Sequence, residues 1–249
     1  MIRDLAKRLI IGTRWEATIR HAHGLLTGSK NSRYDYQTIA IMRRVLGPDS
    51  VAVDVGSFQG GMLRHMMRFA PRGRHVAFEP IPRLAEDLSR RFPTCRIVPA
   101  AAGESPGEAT FREVTRSPAL SGLRRRIDLP PDTAIREYTV PVETLDRVIP
   151  ATDAVALVKI DVEGDELAVL RGGRETLRRC RPVVVFECGL GGADSYGIRP
   201  ETLFAFVTLE LGMRIFLLDA WLKRSAPLSE TEFVARFDRG IDYYFVAAP

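Results

Sequence analysis

Two segments of this chain run from apolar residues straight into an acid and a glycine, and no other feature restricts the fold as much. One is Val51-Ala52-Val53-Asp54-Val55-Gly56-Ser57-Phe58-Gln59-Gly60-Gly61. The other leads from Ala154 into Lys159-Ile160-Asp161-Val162-Glu163-Gly164-Asp165-Glu166. Short continuous apolar runs suit parallel strands buried on both faces, and ligands of open α/β sheets bind beyond the carboxyl ends of such strands. Charged groups are costly to bury there unless they pair or act on something. Two strand ends of this form predict a nucleotide-type cofactor at one and chemistry at the other.

Around these segments strand and helix patterns alternate. Strands are expected at 51–55, 75–79 and 96–99, with helices over 61–70 and, opened by a proline, over 82–92. The stretch 100–146 breaks the rhythm: strands at 109–114 and 137–142 flank a Pro- and Arg-rich segment, which reads as an insertion near the active face. The alternation resumes with a strand at 154–160, a helix from Asp165 stopped by Gly172-Gly173, a strand at 182–187, a helix at 201–211, and strands at 213–218 and 243–247. The whole predicts one α/β domain over 47–249, its largely parallel sheet between helices, behind a helical N-terminal extension over 1–46. Within that extension Ile2, Leu5, Leu9, Trp15 and Ile19 recur at helical spacing among Arg3, Lys7, Arg8 and Arg14. Such a helix either covers the sheet or makes weak peripheral contact with a membrane. His21 and His23 match no metal motif and read as surface residues.

Cys95, Cys180 and Cys188 form no CxxC pair, which argues against a disulfide framework or a zinc site and suits a reducing, cytoplasmic location. Leu9-Ile10-Ile11 is too short for a signal-peptide core or a membrane span. The net charge of +5 is small for 249 residues and mixed in sign along the chain, so charge alone points away from a nucleic-acid partner. Arg124-Arg125-Arg126 is either a solvated face or a contact for an anionic substrate. Oligomeric state has no signal here; a homodimer is compatible with the chain.

A dinucleotide fingerprint needs a second glycine where this chain has Phe58, so a pyrophosphate fits poorly. A glycine turn opening a helix suits S-adenosylmethionine, which carries no phosphate. The turn residues Gly56, Ser57, Phe58 and Gly60 would cradle its amino-acid end, and Asp54 would meet its amino group. Glu79, in Phe78-Glu79-Pro80 at the next strand end, is placed to accept both ribose hydroxyls. Ala102, past the third strand, leaves room for a flat adenine ring.

These residues resemble those of the FkbM-type methyltransferases, a class I S-adenosylmethionine-dependent family. The matching residues are Asp54-Val55-Gly56 with Gly60, Phe78-Glu79-Pro80 with Pro82, Thr144-Leu145-Asp146, and Lys159-Ile160-Asp161-Val162-Glu163-Gly164 with Glu166. Val169-Leu170 with Gly172, and the Glu187 strand end, also fit. The family turn usually reads DVGANxG, whereas Ser57 and Phe58 stand here in place of Ala and Asn. The resemblance implies a Rossmann-like fold, with a central, mostly parallel seven-stranded sheet flanked by helices. It also implies O-methylation of a sugar, glycan or secondary-metabolite hydroxyl.

Asp161, at the fourth strand's end, is the first candidate for orienting or deprotonating that hydroxyl, with Asp161 also beside the cofactor's methyl group. Lys159 and Glu187 join it as catalytic candidates, although Lys159 shares its face of the strand and can simply pair with Asp161 or Glu187. Asp161, Glu163 and Glu187 are alternatively a Mg²⁺ set, all oxygen ligands. Glu163 otherwise bonds the backbone amides of the Gly164 turn, Asp165 and Glu166 cap the following helix, and His65 lies one turn beyond Gly61. Rival readings are a non-catalytic S-adenosylmethionine-binding protein, opposed by the intact acids, and a nucleic-acid methyltransferase. Base amino-group methylation commonly uses an Asn/Asp-Pro-Pro-aromatic strand end, which Asp161-Val162-Glu163-Gly164 is not. A nicotinamide dehydrogenase is disfavoured by Phe58 and by the lack of a Tyr-x-x-x-Lys pair.

Overall fold

A computed structural model describes residues 29–249. The expected amphipathic segment Met1–Ile19, with His21 and His23, lies outside the described residues. The first described helix is α1 (Lys30–Val45), and the Ser29 side chain accepts the Ser32 amide at its start. It is followed by β1 (Val51–Val55), α2 (Gly61–Phe69), β2 (Val76–Phe78), α3 (Pro82–Arg91) and β3 (Arg96–Val98). The insertion supplies β4 (Ala101–Ala102), β5 (Gly107–Val114) and β6 (Ile135–Glu143). Then come α4 (Leu145–Val148), β7 (Val155–Ile160), α5 (Glu166–Gly172), α6 (Arg174–Cys180), β8 (Val183–Glu187) and α7 (Pro200–Ala205). A π-helical turn continues α7, and β9 (Arg214–Leu217), α8 (Leu218–Leu222), α9 (Glu230–Asp238) and β10 (Tyr244–Ala248) end the chain.

The main sheet has the expected seven, mostly parallel strands, in the order β3-β2-β1-β7-β8-β10-β9, with β10 antiparallel to both β8 and β9. Every residue of β1 is buried, as a strand covered on both faces requires. Strand alternation sorts the core into two layers. Val53, Val55, Val158, Ile160, Val184 and Phe186 face one side, against Leu167, Val169 and Leu177. Ala52, Leu157, Val185 and Val246 face the other, against Tyr34, Ile41 and Met42 of α1 and Met66 of α2. The insertion folds as a three-stranded sheet, β4-β6-β5, in which β5 and β6 pair over eight residues, Gly107 with Val142 through Val114 with Ile135.

The topological switch lies between β1 and β7. Strand order runs outward from β1 to β3 on one side and from β7 to β8 on the other, so a crevice opens above the two strand ends that carry the acids.

Candidate active site

A cavity of about 1700 Å³ occupies this crevice. Its walls come from the β1 turn, the β2 end, β4, the insertion, the β7 and β8 ends, α1 and the segment before β10. Gly56, Ser57, Phe58, Glu79, Pro80, Ala102, Lys159, Asp161, Glu163 and Glu187 all line it, and so does His65. Asp54 and Gly60 stand behind the wall, buried, as supports.

The β1 turn is built by close approach. Gly56 has φ +77°, and a Cβ there would lie 1.8 Å from the Asp161 carbonyl oxygen, so only glycine lets β1 and β7 end side by side. Ser57 Oγ donates to the Asp54 carbonyl at 2.9 Å. Phe58, where the family pattern has asparagine, also takes a left-handed conformation (φ +49°), which a bulky residue adopts at a cost. Two interactions hold it. Its amide donates to Glu79 Oε2 at 2.7 Å, and its ring packs with Ile81, Leu84, Phe111 and Val140, joining the turn to the small sheet.

Glu79 also accepts the Ile81 amide at 2.9 Å. Burial pushes its carboxyl up to about 7 against the pull of those two amides. A buried carboxylate on the cavity wall, with acceptor capacity beyond two amides, fits a ribose diol. Gly61, with open space where a Cβ would be, fits close approach of a ligand at the α2 N-terminus.

Lys159 links the two strand ends. Its Nζ lies 3.1 Å from Asp161 Oδ2 and 3.7 Å from Asp54 Oδ1, and donates to the Gly56 carbonyl at 3.2 Å. Burial works to lower the ammonium's pKa, but Asp161 and Asp54 overcome it and hold Lys159 charged. Asp54 is 0% exposed, with no hydrogen-bond partner for either carboxylate oxygen, and burial raises its pKa against the pull of Lys159. It lies buried beside Lys159 and does not itself line the cavity.

Asp161 takes a second donor, the Tyr244 hydroxyl at 2.6 Å. Burial opposes its ionisation, yet Lys159 and the donors around it keep its pKa below the ordinary carboxylate value. Glu187 moves the other way: burial and the charges of Asp161 and Glu163 push it well above its usual range. Glu163 is raised to about 8 by burial and by Asp161, despite its ion pair with Arg126. The three acids bring carboxylate oxygens within 4.8 Å of one another, a spacing open to a divalent cation. Lys159 and Arg126 already place two positive charges against them.

Arg126 answers the question left by the arginine run. It makes two hydrogen bonds to Asp128, at 3.0 and 2.8 Å, and pairs with Glu163, so its charge pins the insertion over the β7 end. The turn role expected of Glu163 belongs to Glu166, whose Oε1 accepts the amides of Val162 and Gly164 at 3.1 Å each. Tyr244 was absent from the sequence-based set. Its only signal was a Tyr243-Tyr244 pair in the last strand, and register alone puts Tyr244 opposite Glu187.

Residues 54–214 match the model of the methyltransferase FkbM domain, more than half of the chain. The chain belongs to the FkbM methyltransferase family. Among curated proteins, the 2-O-methyltransferase NoeI of Sinorhizobium fredii (strain NBRC 101917 / NGR234) is 25% identical over 179 residues, 64% of this chain and 71% of that protein. Among solved structures, the methyltransferase FkbM from Methylobacillus flagellatus KT superposes with a TM-score of 0.49 at 15% identity, covering 81% of this chain. The aligned part is 44% of that longer chain. A TehB-like SAM-dependent methyltransferase from Corynebacterium glutamicum ATCC 13032 Kitasato gives 0.44 at 12%, covering 93% and 94% of the two chains. As an FkbM family member the protein is a methyltransferase, and the family match takes in the β1 turn, Glu79, the β7 acids and Glu187. It stops before β10. None of the described helices is long and apolar enough to cross a membrane.

Proposed function

We propose that this FkbM family member transfers a methyl group from S-adenosylmethionine to a hydroxyl of a sugar, glycan or secondary-metabolite acceptor. One observation carries the reading: the glycine turn, Glu79 and Asp161 converge on a single cavity, with a wall for the cofactor beside an acid for the acceptor. The likeness to a protein named as a 2-O-methyltransferase supports transfer to oxygen.

Methyl transfer from a sulfonium is an in-line displacement, so orientation supplies much of the acceleration, about 7–11 kcal/mol in well-aligned systems. The acceptor oxygen forms its bond to the methyl carbon as the sulfur–carbon bond breaks, leaving neutral S-adenosylhomocysteine. The hydroxyl proton passes to the Asp161 carboxylate. With its pKa held low, Asp161 is a weak base and chiefly a hydrogen-bond acceptor that aims the oxygen. The acceptor proton becomes strongly acidic as the bond forms, and a weak base then suffices. Lys159 keeps Asp161 ionised, and burial together with the neighbouring acids disfavours the charged form of Glu187 beside it.

Calorimetric titration with S-adenosylhomocysteine tests the cofactor half. Micromolar binding to the wild type, lost in Glu79→Ala, is the expected result; a folded wild type that binds nothing would sink the reading. An acceptor screen with radiolabelled S-adenosylmethionine tests the rest. Asp161→Asn is expected to lower kcat by about a hundredfold or more. Treatment with EDTA is expected to leave the rate unchanged, whereas loss restored by Mg²⁺ would assign the acid trio to a metal.

A further inference from the structure

We propose that Tyr244, which lines the same cavity, is a positioning residue for the transfer, holding one oxygen of the Asp161 carboxylate so that the other meets the acceptor. The inference rests on the assignment of Asp161 above.

Tyr244 lies on β10, beyond the residues that define the family, in direct register with Glu187 on β8. Its hydroxyl donates to Asp161 Oδ2 at 2.6 Å, and Lys159 Nζ lies 3.1 Å from the same oxygen. The short distance is that of a charge-assisted bond between hydroxyl and carboxylate. Two donors on Oδ2 orient the carboxylate and leave Oδ1 as the oxygen neither of them takes, with Glu187 also hydrogen-bonded to this carboxylate. Burial, together with the charges of Asp161 and Glu187, raises the phenol well above its ordinary pKa, so it remains a donor at any working pH.

The ring is itself held in place. Tyr34 of α1 packs against it with centroids 5.3 Å apart and planes at 31°. The Tyr34 hydroxyl donates to Asp242 Oδ1 at 2.8 Å, Lys30 donates to the Ile241 carbonyl at 2.8 Å, and Tyr243 bonds Asn31. Helix α1 is thereby stitched to the segment entering β10 at several points. If Tyr244 served packing alone, a phenylalanine would replace it without consequence.

The groups facing Asp161 come from every side of the crevice: Lys159 on its own strand, Asp54 on β1, Glu187 on β8, Glu163 and Glu166 after β7, and Tyr244 on β10. Arg126 acts from the insertion through Glu163. Removing the Tyr244 hydroxyl withdraws a donor from the charged form of Asp161 without changing any charge in this set.

The test compares Tyr244→Phe with the wild type, using protein labelled with ¹³C at aspartate carboxyls. The Asp161 signal is identified by its absence in Asp161→Asn. In Tyr244→Phe the Asp161 titration midpoint is expected to rise by about one pH unit, while S-adenosylhomocysteine affinity stays at the wild-type level. On the methyl glycosides, glycerol and catechol used as acceptor probes, kcat is expected to fall about tenfold with acceptor KM unchanged. Tyr243→Phe, in the same segment, serves as the fold control and should titrate like the wild type. A Tyr244→Phe protein whose Asp161 midpoint matches the wild type would overturn the proposal. Full transfer by Asp161→Asn would instead remove Asp161 from the mechanism, and Tyr244 with it.

Discussion

Gly56 shows how a single residue sets the spacing of this site. Alanine there would meet the Asp161 carbonyl oxygen at 1.8 Å in a backbone conformation that L side chains rarely adopt. Gly56→Ala is expected to lower stability by about 3 kcal/mol and to abolish S-adenosylhomocysteine binding, measured by denaturant unfolding and calorimetry. A variant with wild-type stability would show that the turn can move apart freely. The glycine was legible from its place after a strand, but its contact was not, since Asp161 is more than a hundred residues away. Phe58 and Asp54 make the same point. Phe58 read as a departure from the family turn, and the structure shows the small sheet packing against its ring. Asp54 read as a cofactor contact and lies fully buried beside Lys159.

At the scale of elements, strands were located more faithfully than the short helices between them. Buried strands here are runs of valine, isoleucine and alanine, a pattern that survives without context. Helix α6, after the expected stop at Gly173, and helix α8 are seven and five residues long, too short for a 3.6-residue period to show. The start of α9 did have a signal. Ser229 and Glu232 form a capping box, the side chain of each bonding the backbone of the other. Helix α6 ends with Arg181 at φ +46°, a left-handed cap that favours glycine. Replacing it, Arg181→Gly, should stabilise the protein by about 1 kcal/mol, read as a higher denaturant midpoint. The exposed bond from Arg181 to the Gly212 carbonyl is lost in the exchange; a lower midpoint would mean that this bond outweighs the backbone strain.

For the whole molecule, the crevice gathers acids whose pKa values burial has raised: Asp165 to about 6, Glu79 and Glu166 to about 7, Glu163 to about 8. Their ordinary values are 3.8 for Asp165 and 4.5 for the glutamates, so between these and the raised values the folded chain binds more protons than the unfolded chain. Stability is then greatest at low pH and falls as pH rises through the folded values. Buried His75, with its pKa lowered, opposes this only up to its ordinary 6.5. The ligand-free melting temperature is expected to be roughly 3–6 °C lower at pH 8 than at pH 6, and a flat profile would contradict the burial of these groups. The sequence by itself determined the α/β alternation, the two acid-bearing strand ends and the family, because strand burial and glycine turns leave local patterns. Only tertiary structure decided which charges meet. Lys159 reaches back to Asp54, Arg126 crosses from the insertion to Glu163, and Tyr244 meets Asp161 from the last strand. These partners are set by strand register and by the packing of the insertion, and neither leaves a mark in the residues near them in the chain.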